Sequence, residues 1–328
     1  MRSPCISSVR RFSLAIIAAG LGASLYAGEE TAVTTTTPDA EKGLESQSWF
    51  GPPYIQFARR ASDTMLPGYT VGTLNYTHRF AGDFDSLAGD ISSDEFSFWM
   101  PIAAFNRGEY HLFAWLGYGA DKFYTSFPSL MTKHTLQSVK MPIIFMDDLS
   151  ENWLWGVMAM PEYSGTESSS DNFGISVAAG AGYVMNENLE LFAGVYYLHG
   201  FGSDIVIPGA AFIWRPTQRT EVFLLPPVGG VSYSVNEDLF LSLYGQYDST
   251  DWHVEADKVG PDRDISVSGL RLGLKAEYHV YGLAWAYAAA GYTVLRSYDV
   301  DFVDSKVSME KSDIDPSPYI EFGINARF

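Results

Sequence analysis

The chain is almost without cysteine: Cys5 is the only one in 328 residues. It lies ahead of the one apolar run near the start, so it is not a lipid-anchoring cysteine, which would follow that run. Everything after it holds neither a disulfide framework nor a cysteine metal site. Basic residues are scarce too, 21 Lys and Arg against 39 Asp and Glu, for a net charge of −18. Binding phosphates needs a basic face, so this balance excludes nucleic acid as a partner. Long hydrophobic runs are also missing. Phe12 to Leu21 is the run near the start, its roughly ten residues fall short of the ~20 that a membrane helix needs, and no other stretch is long and apolar enough. Lipid admits only helices and closed barrels, so if the mature chain spans a membrane it must do so with strands.

What is present at the start has the form of a secretory signal. Arg2, Arg10 and Arg11 precede the apolar run and small residues follow it, which predicts a signal over 1–27 with Ala27 last before cleavage. That segment holds three arginines and no acid, so its removal leaves 18 basic against 39 acidic residues, a net charge of −21. Residues 28–68 form a predicted periplasmic leader. Its first part, Glu29-Glu30-Thr31 through Thr37-Pro38-Asp39, is polar and without periodicity. Trp49-Phe50-Gly51-Pro52-Pro53-Tyr54 is aromatic and stiff, and predicts a short segment, Ile55 to Arg59, docked at the periplasmic mouth of a barrel. A plug entering the lumen, as in the fatty-acid transporter family, is the alternative.

From residue 69 to 328 the chain alternates. The predicted strands are 69-80, 94-105, 109-119, 134-147, 152-163, 173-185, 188-199, 204-215, 219-226, 228-235, 238-250, 265-278, 283-298 and 317-328. Each is near the ~9–11 residues a tilted transmembrane strand needs. Short connectors such as Asn186-Glu187 and Asn236-Glu237 alternate with longer ones such as 81-93 and 299-316. That alternation is the mark of an all-β, antiparallel, up-and-down transmembrane barrel with short periplasmic turns. Fourteen strands are expected. Twelve is the alternative if 219-226 and 228-235, joined at Pro226-Pro227, fold together without spanning.

The last stretch, Ser317 to Phe328, is the clearest. Ile320, Phe322, Ile324, Ala326 and Phe328 alternate with Tyr319, Glu321, Gly323, Asn325 and Arg327. Ending so on an aromatic, it resembles the closing strand of bacterial outer-membrane β-barrels. The resemblance implies an outer-membrane location among lipid and lipopolysaccharide, and recognition of that strand by the barrel-assembly machinery. Three further stretches are Trp49 to Tyr54, Ile207-Pro208-Gly209-Ala210-Ala211-Phe212-Ile213-Trp214-Arg215-Pro216, and Phe223-Leu224-Leu225-Pro226-Pro227 with Val231-Ser232-Tyr233. They resemble an outer-membrane barrel group known only as a domain of unknown function, which implies a barrel and carries no chemistry to transfer.

The strand patterns separate two faces. Leu270, Leu272, Leu274 and Ala276 oppose Arg271, Lys275 and Glu277. Tyr110, Leu112, Ala114, Leu116 and Tyr118 oppose Glu109 and His111, and Leu239, Leu241 and Leu243 oppose Ser242, Tyr244, Gln246 and Asp248. A charge on the lipid face at mid-membrane costs about 2–4 kcal/mol, so the charged face is predicted to be the lumen. Glu109, His111, Lys140, Arg271, Lys275, Glu277, Glu321 and Arg327 are the predicted lining. Trp99, Trp153, Trp155, Trp214, Tyr298 and Tyr319 near strand ends fit interfacial girdles.

Candidates for chemistry are few. His199, Ser203 and Asp204 stand together at an outer strand end, as a nucleophile with its base would. A Gly-Ser-Asp turn explains them equally, and no enzyme is expected. Asp147-Asp148 reads as a turn start on the periplasmic side. The outer loops are acidic: 81-93 holds Asp83, Asp85 and Asp90, and 251-264 and 299-316 hold eleven more Asp and Glu. Oxygen ligands suit Ca²⁺ or Mg²⁺, which makes Asp299, Asp301 and Asp304 weak metal candidates, although no glycine completes a calcium loop. No cofactor is expected. The reading is a porin-like transport barrel for small solutes with modest cation preference. The alternative is a non-conducting surface protein whose acidic loops bind ions or a partner.

Overall fold

The computed structural model describes residues 64–107, 110–126, 133–150, 152–166, 172–200, 203–254, 263–302 and 310–327. The predicted signal 1–27 and the predicted docking segment 55–59 lie outside the described residues. The strands in chain order are β1 (Thr70–Asp83), β2 (Asp90–Arg107), β3 (Tyr110–Thr125), β4 (Lys133–Lys140), β5 (Ile143–Asp148), β6 (Trp153–Thr166), β7 (Asn172–Asn186) and β8 (Leu189–Gly200). They continue with β9 (Ser203–Thr217), β10 (Thr220–Leu225), β11 (Val228–Ser234), β12 (Leu239–Val254), β13 (Arg263–Tyr281), β14 (Ala284–Phe302), β15 (Glu310–Ile314) and β16 (Ser317–Arg327).

Each strand pairs antiparallel with its neighbours, and the ring closes where β1 meets β16, from Thr70 opposite Arg327 to Arg79 opposite Tyr319. Two wall positions are shared by two strands each. β4 and β5 both lie between β3 and β6, broken at Met141-Pro142, and β15 and β16 both follow β14, broken at Asp315-Pro316. Proline has no N–H for the ladder, so it divides a strand without displacing it. The Trp115 N–H still reaches the Pro142 carbonyl at 3.0 Å. The barrel thus has fourteen wall positions.

β10 and β11 belong to that wall, paired to β9 and β12, which sets the twelve-strand alternative aside. They are short, six and seven residues beside fifteen in β9 and sixteen in β12. β10 reaches only Phe212 on β9, and β11 only Gln246 on β12. Outward of these points, 203–211 and 248–254 have no ladder on this side among the described residues.

The outer wall is oily. Leu112, Leu243, Leu272, Leu274, Phe322 and Ile324 are exposed, while His111, Ser242, Arg271, Glu277, Glu321 and Arg327, an odd number of positions away on the same strands, are buried. Apolar side chains turned outward and polar ones turned inward are the reverse of a soluble fold, and suit lipid outside. Trp153 and Trp214 lie on this outer surface near the short-turn end, as a girdle would. Trp99, Tyr298 and Tyr319 do not. Tyr298 and Tyr319 are buried, and Trp99 packs on the interior core and over Gly117. The expectation that all charge faces inward also meets an exception. Asp94 points outward beside His78 and accepts hydrogen bonds from Tyr76 at 2.7 Å and Tyr124 at 3.0 Å. It sits near the outer rim, where a charge costs least, and its oxygens are satisfied.

Candidate functional site: the barrel interior

Fourteen strands in a round barrel would enclose an open bore, since about eight already enclose only enough space for side chains. This barrel is pinched: β6 and β12, far apart around the ring, approach within 8 Å between Cα atoms. The two halves of the interior differ in chemistry.

One arc, from β3 to β10, is mainly apolar, with the Arg215, Glu190 and Glu221 group at its short-turn end and the Lys140–Glu162 pair as its charged exceptions. Phe113, Trp115, Ile144, Met146, Leu154, Met158, Phe192, Tyr196 and Ile213 pack there as a continuous cluster. The opposite arc, β12, β13, β14, β16, β1 and β2, carries charge and tyrosine along the barrel axis. Nearest the periplasmic end, Glu277 accepts from Arg327 Nη2 at 2.8 Å, Asn325 Nδ2 at 2.7 Å and Lys275 Nζ at 2.9 Å. Farther out, Tyr287 donates to Glu321 at 2.7 Å, and Tyr319 donates to Tyr244 at 2.9 Å from strands that are not neighbours. Such reach is possible only across the interior. Tyr287 lies flat because Gly323 leaves it room: a Cβ there would come within 2.5 Å of the ring. Beyond them, Arg271 bridges Asp248 at 2.6 Å and Glu321 at 3.3 Å, and Arg79 pairs with Glu95 and Asp248.

The periplasmic mouth is crossed by residues 64–69. Arg327 Nη1 donates to the Gly68 carbonyl at 2.8 Å on one side of the ring. On the far side the Met65 N–H reaches the Gln218 carbonyl at 2.9 Å, and Ser234 Oγ donates to the Met65 carbonyl at 2.6 Å. Leu66 is buried with Phe240 and Trp285. The Tyr69 hydroxyl accepts from Arg215, which also pairs with Glu190 at 2.6 Å and Glu221 at 3.0 Å. The segment is a strap over the opening. Residues 28–63, the part of the leader for which a plug is the alternative, lie outside the described residues.

The predicted lining residues fall as follows. Arg271, Glu321, Lys275, Glu277 and Arg327 form the ionic arc just described. Lys140 pairs with Glu162 at 2.9 Å, and His111 is buried, stacked on Phe113. Glu109 lies outside the described residues. Asp299 pairs with Lys311 at 3.1 Å, while the side chains of Asp301 and Asp304 lie outside the described residues. Among the described residues no three of His, Cys, Asp and Glu gather as a metal site. The backbone sets His199 opposite Asp204 and Gly200 opposite Ser203, but the side chains of this trio are also outside the described residues. Arg79, Glu95, Asp248, Arg215, Glu190 and Glu221 complete the interior network and were not among the predicted lining. Asp248 was legible from its alternation in β12. Arg215 sits beside Pro216 at a strand end, where alternation gives no face.

A closed antiparallel ring with an oily outside and a charged inside defines the class: this is an outer-membrane β-barrel, embedded among outer-membrane lipid and lipopolysaccharide. The chain belongs to the family described as Domain of unknown function (DUF6268), which matches residues 124–327. No curated protein matches the chain. Among solved structures it is similar to an outer membrane channel of Pseudomonas putida F1, at 9% identity and a TM-score of 0.45 over 79% of this chain and 95% of that one. It is also similar to a FadL homologue of Pseudomonas aeruginosa, at 9% identity and a TM-score of 0.43 over 78% and 89%. At that distance nothing passes from them to this chain, and function has to be read from the interior.

Proposed function

We propose that the protein is a gated transport barrel that passes small hydrophilic solutes along its charged arc. The observation that carries this is the axial run of buried charge from Arg79 and Asp248 to Glu277 and Arg327. Buried ion pairs add little stability over well-packed apolar residues, and ionisable groups at membrane depth are the usual mark of a path. The opposite arc shows how readily this interior takes an apolar lining. Arg271, Lys275, Glu277, Glu321 and Arg327, with Lys140 and His111 on the neighbouring wall, line the passage in this reading. Cross-lumen pairs and the strap hold it shut in this conformation. A cleaved signal at 1–27 delivers the chain, and the assembly machinery reads its last strand.

The test is planar-bilayer conductance of the refolded protein beside the variant Leu66→Asp, which removes the apolar anchor of the strap. Brief, rare openings in the wild type and long steps of reproducible size in the variant are expected. Silence from both, with β-rich circular dichroism, would instead favour a barrel that serves as an anchor for its loops.

A further inference from the structure

We propose that the outer half of the barrel interior holds a single halide-sized anion at Arg296. A cavity of about 10 Å³, the room for one water or one monatomic ion, lies between β1, β3, β12, β13 and β14. Arg79, Phe123, Asp248, Thr250, Val267, Ser268, Gly269, Thr293 and Arg296 line it.

Its polar lining carries donors without partners. Arg296 is 3% exposed, donates to Ser317 Oγ at 2.8 Å, and has no acidic partner among the described residues. A guanidinium stays charged, so the charge of Arg296 lacks an acidic counterpart among the described residues. The buried hydroxyl of Thr293 and the buried Nε of Arg79 also lack hydrogen-bond partners. Asp248 is the one acid on the lining, and its oxygens are engaged by Arg79, Arg271 and Gln246. Buried charges in proteins are paired. An anion in this cavity supplies the missing partner, whereas a water would satisfy donors and leave the charge.

The backbone is built to put Arg296 there. β14 carries a bulge between Val294 and Ser297, where Leu295 takes φ of 51°. Leu295 is exposed to lipid, and beyond it the inward parity changes, so that Thr293 and Arg296 both face the cavity. Without the bulge, Arg296 would share the outward side with Tyr292. Gly269 opposite leaves the space: a Cβ there would lie 3.0 Å from both Arg296 Cγ and Thr293 Cγ2. A strained non-glycine residue beside a buried cation is the pattern of a functional site.

The inference stands whether or not the barrel conducts. Crystals of the full refolded chain soaked in bromide should give an anomalous peak within hydrogen-bond reach of Arg296 and Thr293. In detergent, chloride or bromide should raise the unfolding midpoint over gluconate, which is too large for the cavity, at equal ionic strength. Arg296→Met should abolish that difference, and Thr293→Val should weaken apparent halide affinity by about fivefold, the loss of one hydrogen bond. No bromide peak at the cavity means water only and overturns the proposal, as does an equal halide effect in Arg296→Met. If Arg296→Met does not fold, the bromide peak and the Thr293→Val shift decide.

Discussion

At the scale of single residues, the interior is governed by pairing. Glu277 is fully buried and held by Arg327, Lys275 and Asn325. Removing one partner of a buried charge set leaves the others uncompensated, at a cost of about 3–5 kcal/mol. Glu277→Gln should therefore destabilise the barrel by roughly 3 kcal/mol in urea titrations in lipid. Leu274→Ala, three residues away on the lipid wall of the same strand, should cost about 1 kcal/mol, since a mutation outside the close-packed interior leaves no cavity. Equal losses from both would contradict the assignment of faces. These residues were legible in the sequence because β13 and β16 alternate without interruption, and alternation converts directly into inside and outside. Arg296 was not, because the bulge at Leu295 changes the parity midway, and a period-two reading assumes that no residue is inserted. Tyr319 was assigned to an interface by its place near a strand end. Its burial depends on Gly273 opposite, a partner that sequence proximity does not reveal.

At the scale of strands, the wall is uneven. Turn signals and strand lengths made all fourteen wall positions readable, including the hairpin at Pro226-Pro227, because prolines at a bend leave both flanking runs free to pair. What they did not give was height. β10 and β11 rise for six and seven residues, about 20 Å along the strand at ~3.3 Å per residue. Tilted by ~45°, that covers little more than half of the ~25 Å apolar band. The edges of 203–211 and 248–254 above them are without a ladder among the described residues. An unpaired edge opens to exchange far more readily than a paired one. Hydrogen exchange should thus be fastest for amides that point into this seam, and slowest in β13 and β14, which pair from Arg263–Phe302 to Tyr281–Ala284. Uniform protection around the ring would mean that the seam is bridged.

At the scale of the whole molecule, the question is whether the strap is a gate or a fixed lid. It is tied at both sides of the mouth, by Arg327 to Gly68 and by Ser234 and Gln218 to Met65. Leu66, Pro67 and Tyr69 are buried along it, and its far side is held by two hydrogen bonds of the Met65 main chain, by the Thr64 hydroxyl on the Gln218 carbonyl and by the Arg215 contact with Tyr69. Each such bond contributes about 1 kcal/mol net, so release of the far end is well within thermal reach beside the stability of the ring. The single native cysteine, Cys5, falls in the predicted signal, so engineered thiols have no competitor in the mature chain. Met65→Cys with Ser234→Cys places two thiols where a side chain and the strap backbone already touch. Oxidised, this pair should abolish the openings of the wild-type barrel in a planar bilayer, and reduction should restore them within the same membrane. If the oxidised protein opens as often as the wild type, the strap does not gate. The closure would then reside in the cross-lumen pairs, and Arg271→Met, which unties Asp248 from Glu321, becomes the variant that should conduct.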